Sequence, residues 1–243
     1  QTTRALTDYD ALAEKIATIQ GVTRAAPLIK GQVMANLRTR NAGVQVFGIT
    51  LENLRSLPGI ASADDQYGDL NQFNSGLAIG SGVARELGAT VGDRIKIISP
   101  NGVKTAFGTS PRINAYEIKY IFTAGRYDID KTRVYMPFSA AQEFFNKEGK
   151  ADEIEVMVSD PEAVDNYAEI LLQTAGERAL LWTWRDSASS FLRALEVEDN
   201  VMFIILSILV LIAAMNIISG LIMLVKNKGR DIGILRTIGL TEG

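Results

Sequence analysis

Apolar and polar positions follow two rhythms in the first three quarters of this chain, and then the alternation stops. Asp10–Ile19 sets Leu12, Ile16 and Ile19 on one face, which predicts a short amphipathic helix capped by Thr7 or Asp8 and ended by Gly21. Residues 22–49 hold β-rich runs such as VQVFGI, and Leu51–Leu57 is a helical turn before Pro58-Gly59. Residues 62–75 are polar and acidic and predict a loop. The run LAIGSGVARELGATVGDRIKII (77–98) reads as a strand, a helix from about Ser81 to Leu87, a Gly88 stop, a turn at Gly92-Asp93 and a strand Arg94–Ile98. Ser99–Ala115, rich in Gly, Pro, Ser, Thr and Asn, is a long connection to a strand Tyr116–Ala124, so the pair forms an extended hairpin. There follow a strand Val134–Met136, a helix Ser139–Lys147, a strand Ile154–Val158, a helix opened by Pro161 and running to about Thr174, and a last strand Leu180–Trp184. No repeat of the solenoid type recurs along the chain.

From Asp186 a helical pattern (Phe191, Leu192, Leu195) leads into Val201–Val225, which carries no charge and is interrupted only by Ser207, Asn216, Ser219 and Gly220. At about 1.5 Å per residue this run spans roughly 37 Å, enough to cross a hydrocarbon core of about 30 Å with some tilt. Lys226, Lys228, Arg230 and Arg236 follow it, whereas Glu196, Glu198 and Asp199 precede it with Arg193 and Arg185 further back. The basic side faces the cytoplasm by the positive-inside rule, which places residues 1–200 outside an inner membrane. Both ends of the sequence look cut: Gln1 opens next to a helical pattern and Gly243 stops inside a cytoplasmic segment.

Composition narrows the chemistry. With 47% hydrophobic and 22% charged residues and a net charge of −3, the chain suits one or two soluble lobes and an anchor, with no basic excess to track nucleic acid. It has no Cys and no His, which removes disulfides, thiol chemistry, Cys/His zinc sites and His-based triads. No catalytic residue and no metal ligand set is assigned. Asp64-Asp65, Asp128/Asp130 and Asp152/Glu153/Glu155 read as solvated loop acids. Gly80-Ser81-Gly82 lacks the Gly-Lys-Ser/Thr ending of a phosphate loop and reads as a turn into a helix. Trp182 and Trp184 share one strand face, for core packing or membrane-interface anchoring. Asn216, Ser219 and Gly220 read as helix–helix packing within the span. Lys228–Leu240 can form an amphipathic helix, either docking into a partner groove or lying on the lipid surface.

Leu77–Ile97 has the form L-A-x-G-x-x-x-A-x-x-L-G-x-x-x-G-D-x-I-x-I and, with Val134-Tyr135-Met136-Pro137, resembles the periplasmic domain of MacB-type ABC permeases. The final run AAMNIISGLIMLVKNKGRDIGILRTIGLTEG resembles the second transmembrane helix and cytoplasmic coupling segment of the lipoprotein-releasing permeases LolC and LolE.

The resemblance implies an α+β periplasmic domain, with Porter and Sabre lobes, followed by one transmembrane helix. Its segments would be 1–50 and 131–190 for the Porter lobe, 51–130 for the Sabre lobe with its hairpin at 99–115, 191–226 for the membrane-entering and spanning helix, and 227–243 for the start of the coupling segment. The chain would be a non-enzymatic part of a bacterial inner-membrane permease. It would hold no cofactor of its own, ATP and magnesium belonging to a LolD-like cytoplasmic ATPase. Its other partners would be a second permease copy or paralogue, a LolA-like periplasmic chaperone, the lipoprotein substrate and membrane lipid. The hairpin residues Pro100, Val103, Phe107, Pro111 and Arg112 would contact the chaperone, and Arg230, Asp231, Ile232, Ile234, Leu235 and Arg236 the ATPase. LolC, LolE and a combined homodimeric form stay open. Rival readings are a MacB-type efflux permease, a single-span periplasmic sensor and a membrane-anchored enzyme using carboxylates.

Overall fold

The computed structural model describes residues 6–61, 65–105, 108–176 and 179–237, and the chain divides into two compact units, Gln1–Leu181 and Trp182–Gly243. In the first unit, helix α1 (Tyr9–Ala17) precedes strands β1 (Val22–Leu37) and β2 (Arg40–Ile49). The β-rich stretch is thus a long hairpin, turned at Arg38 with φ 54° and registered from Leu37↔Arg40 back to Ile29↔Gly48. Helix α2 (Leu51–Arg55) follows, its Thr50 side chain accepting from the Asn53 N–H. The polar stretch expected to be a loop instead holds strand β3 (Gln66–Gly68) and a 3-10 turn at Leu70–Ser75, because Phe73 within it is fully buried.

Strand β4 (Leu77–Gly80) feeds helix α3 (Ser81–Leu87), which ends where Gly88 turns left-handed at φ 65°, as its sequence implies. Gly80 and Gly82 are glycines for a packing reason. A Cβ on either would meet the Asp130 backbone, at 2.3 and 2.8 Å from its carbonyl oxygen. Strands β5 (Arg94–Thr105) and β6 (Gly108–Phe122) come next. The expected connection 99–115 is therefore mostly ladder, with pairs Val103↔Ser110, Lys104↔Thr109 and Thr105↔Gly108. Its Ser/Thr/Gly content misleads because a two-stranded ladder is closed by backbone hydrogen bonds and needs no apolar alternation. Helix α4 (Tyr127–Thr132), absent from the sequence reading, leads to β7 (Arg133–Pro137), α5 (Phe138–Phe144), β8 (Glu153–Val158) and α6 (Val164–Ala175). The last helix starts three residues beyond Pro161, since the Asp160 carboxylate takes the Glu162 N–H at 3.1 Å and holds a turn there.

Hydrogen bonding runs β2-β7-β4-β6-β5-β1, and β1 pairs back onto β2, so six strands form a closed ring; β3 adds to β6, and β8 to the first half of β1. Closure leaves these six without a continuous free edge. The ring is mixed: β2–β7 and β4–β6 are parallel and its other pairs antiparallel. Strands from all three segments assigned to lobes by sequence enter this one ring. Val33, Val44, Ile79, Ile97, Ile118 and Val134 belong to one core cluster. A second, with Phe47, Leu54, Phe73, Tyr120, Phe122 and Tyr135, lies under α2 and the 3-10 turn. Strands buried on both faces carry unbroken apolar runs, as at Val46–Ile49 and Leu77–Gly80.

The second unit begins with α7 (Trp184–Ser187) and continues into α8 (Ser189–Thr237). The expected strand Leu180–Trp184 does not form. Thr183 instead caps α7, its hydroxyl accepting from the Asp186 N–H at 3.3 Å while the Asp186 carboxylate takes the Thr183 N–H at 2.8 Å. The two tryptophans therefore share no strand face: Trp182 is exposed and donates its indole N–H to Ser187 Oγ at 2.7 Å, and Arg185 stacks on Trp184. Ser189–Ile234 of α8 is long and apolar enough to cross a membrane.

Candidate functional site

The hairpin built by β5 and β6 is the clearest projection from the barrel. The ladder is regular from Arg94↔Glu117 to Ser99↔Arg112, then slips before resuming at Val103↔Ser110. Over that slip β5 advances four residues and β6 two, which is a bulge and bends the arm. Pro100 and Pro111, which carry no N–H to donate, sit at the slip and are both exposed. Gly102 fits there only because it lacks a side chain, since a Cβ would fall 1.7 Å from the Ser110 carbonyl oxygen.

Arg112 stands just inside the bulge and points at the body. One guanidinium nitrogen donates to the Glu143 and Phe144 carbonyls at 2.5 and 3.1 Å, and the other to Asn146 Oδ1 at 2.7 Å. These are the last carbonyls of α5, which an Arg side chain both satisfies and complements in charge. Val103 pairs with Ser110 in the ladder of the arm, which runs on to Thr105↔Gly108, whereas Phe107 lies outside the described residues. At the root, one row of pairs crosses four strands, Gly43↔Met34↔Ile98↔Ile113. Met34 and Ile113 are 42% and 54% exposed, so this is an apolar strip facing solvent. A groove of about 700 Å³ runs over its Gly43, Met34 and Ile98, lined also by Gln32, Gln45, Pro100, Pro111 and Thr132, with no charged side chain among the described residues.

The carboxylates read as solvated are in several cases structural. Asp130 is buried and its carboxylate accepts the Ala124 N–H at 2.7 Å. Asp152 accepts from the Lys30 N–H at 2.9 Å and pairs with Lys147 at 2.6 Å. Glu155 pairs with Arg24, whose side chain is 6% exposed, and Glu153 with Lys30. For Asp152, Glu153 and Glu155 the sequence signal was weak because their partners Arg24 and Lys30 lie about 120 or more residues away, brought together by the β1–β8 pairing, whereas Ala124 and Lys147 are local partners of Asp130 and Asp152. Asp128 is exposed and pairs with Arg126 at 3.0 Å. Asp64 lies outside the described residues.

In the second unit, Ser219 donates to the Met215 carbonyl at 2.8 Å, whereas the Asn216 amide and Gly220 lie open on the surface of α8. Ile232 and Ile234 are 54% and 53% exposed. Arg230, Asp231, Leu235 and Arg236 belong to α8, but their side chains are outside the described set.

Residues 1–174 match the family described as MacB-like periplasmic core domain. The lipoprotein-releasing system transmembrane protein LolC of Neisseria meningitidis serogroup B is 29% identical over 239 residues, covering 97% of this chain and 57% of that protein. The transmembrane protein LolE of the same kind of system in Haemophilus influenzae is 28% identical over 200 residues, covering 81% and 47%. This chain spans about half the length of these curated relatives. Among solved structures, the periplasmic region of MacB from Actinobacillus actinomycetemcomitans aligns with a TM-score of 0.46 at 11% identity, covering 77% of this chain and 82% of that one.

Proposed function

The chain belongs to the MacB-like periplasmic core domain family, and from that membership we propose that it is part of an ABC permease which extracts lipoproteins from the inner membrane and passes them to a periplasmic chaperone. The observation that carries the reading is that 97% of this chain, the domain together with a helix carrying an uncharged membrane-length run, aligns with a lipoprotein-releasing relative. The domain lies in the periplasm and the basic end of α8 in the cytoplasm, as the order of acids before and bases after Val201–Val225 supports. ATP, with magnesium, is hydrolysed in a separate LolD-like subunit, so this chain transmits motion and catalyses nothing itself. Arg230, Asp231, Ile232, Ile234, Leu235 and Arg236 form the docking segment for that subunit. Asn216, Ser219 and Gly220 face another helix of the permease, where small and polar residues permit close approach. A second permease copy or paralogue completes the assembly. The hairpin receives the LolA-like chaperone, with Pro100, Val103, Phe107 and Pro111 on the contacting arm and Arg112 at its root.

Reconstitution tests the proposal. The full permease and its ATPase, in proteoliposomes carrying a lipoprotein, should release it to soluble chaperone only when ATP is present. ATP hydrolysis without transfer of lipoprotein to the soluble fraction would overturn the reading.

A further inference from the structure

The distal hairpin is joined to the barrel at its weakest point. Between Ser99↔Arg112 and Val103↔Ser110 the register slips, and neither Pro100 nor Pro111 can donate to a ladder. The backbone alone therefore does not define the direction in which the arm leaves. Something beside the bulge must hold it, and the only side chain described at the root with several bonds to another element is Arg112.

The element it grips is a firm one. In α5, Ala141 and Phe144 are buried, Phe144 meets the Tyr116 ring of β6 at 6.2 Å, and Phe145 covers Gly31 of β1. The helix closes with the Lys147 N–H on the Gln142 carbonyl at 2.8 Å and with Asn146 left-handed at φ 54°. Those closures fix the three acceptors, the carbonyls of Glu143 and Phe144 and the Asn146 side chain, in the spread that a planar guanidinium spans.

We infer that Arg112 is a positioning residue that sets the angle of the distal hairpin by latching its root to the C-terminal end of α5. The latch deepens the chaperone-arm reading and rests on it for its use, although its geometry stands without it. A partner that binds the arm meets it already oriented, so loss of the latch leaves only a fraction of arms in the competent direction and lowers apparent affinity by that fraction. Arg112 is then held on α5, and the partner's contacts fall to the arm from the proline pair outward.

The chain has no cysteine, so spin labels can be placed at Thr105→Cys on the arm and Asn74→Cys on the body of the full-length permease, with any cysteine elsewhere replaced. Electron–electron dipolar spectroscopy should give one narrow distance distribution. Arg112→Met should broaden or shift it and weaken chaperone binding about tenfold. Arg112→Lys should not restore it, since the charge returns without the fork. Asn146→Gly keeps the left-handed backbone and removes one acceptor, so it should broaden the distribution less. An unchanged distribution in Arg112→Met overturns the latch; if that variant does not fold, an unchanged distribution in Asn146→Gly does the same. A broadened distribution with unchanged chaperone affinity leaves the latch standing and removes the chaperone from the arm.

Discussion

Tyr120 shows how a single side chain joins parts of the first unit. It is 2% exposed, and its hydroxyl donates to the Ile60 carbonyl at 2.8 Å beside the Gln66 amide. It thereby ties the segment after α2 to the C-terminal end of β6. Tyr120→Phe keeps the ring and leaves a buried carbonyl without its donor, which costs about 1–3 kcal/mol. The thermal midpoint should fall by a few degrees with the native fold retained, and an unchanged midpoint would show that water already serves that carbonyl. Asp93 is a surface counterpart. The Thr90 N–H at 2.8 Å and then the Thr90 hydroxyl at 2.9 Å hold its carboxyl below the ordinary 3.8. A depressed folded-state value means that the anion contributes stability above the unfolded value, and that this is lost as pH falls through the folded one. Asp93→Asn should therefore lower stability at neutral pH and narrow its gap to the wild type in acid below pH 3.8, measured by denaturant titration at each pH. A gap that stays constant with pH would remove the carboxylate from the account.

At the scale of elements, the barrel and the hairpin separate cleanly. Closure of the ring requires β5 and β6 only over Arg94–Ser99 and Arg112–Phe122, where they pair with each other and with β1, β3 and β4. Replacing residues 101–110 with a two-residue Asn-Gly turn should leave the melting curve of the domain close to wild type while abolishing chaperone pull-down. Retained pull-down would move the contact elsewhere on the domain. The sequence made some elements plain and hid others for a common reason. Helix α3 with its Gly88 stop was legible to the residue, because capping and a left-handed glycine are local signals. The closed ring was not: the β2–β7 and β4–β6 pairings join segments some 40 to 90 residues apart, and nothing periodic in either partner announces the other. The hairpin's proline pair was visible but the bulge between them was not, since a slip in register exists only relative to a partner strand. Leu180–Trp184 shows the converse, an alternating run that forms no strand, while the Thr183–Asp186 cap that overrides it was readable four residues at a time. Arg112 could be marked in the sequence as a hairpin residue, but the direction it faces depends on where α5 ends.

For the whole molecule the decisive question is which side of a membrane each unit occupies. The first unit buries its apolar side chains in two clusters, whereas α8 presents Ile204, Leu209, Val210, Ile217, Met223 and Val225 to its surroundings along the uncharged run. Such a length of exposed apolar helix is stable only where the solvent is hydrocarbon, and its backbone meets that solvent's demand because every peptide group is paired within the helix. Orientation rests on the flanks: Lys226 and Lys228 lie directly after the uncharged run, and Glu196, Glu198 and Asp199 directly before it. Since Lys and Arg near the ends of a span dictate its direction and acids contribute little, the proposed topology keeps the basic end on the side of synthesis. Two single cysteines read this out in a chain that has none of its own. Asn74→Cys, in the exposed 3-10 turn of the first unit, should react with a membrane-impermeant maleimide in intact spheroplasts. Asn227→Cys, just beyond the run, should react only after the membrane is opened. Equal labelling of both in intact spheroplasts would show that α8 does not span. The reverse pattern would place the barrel and its hairpin in the cytoplasm and end any role in handing cargo to a periplasmic partner.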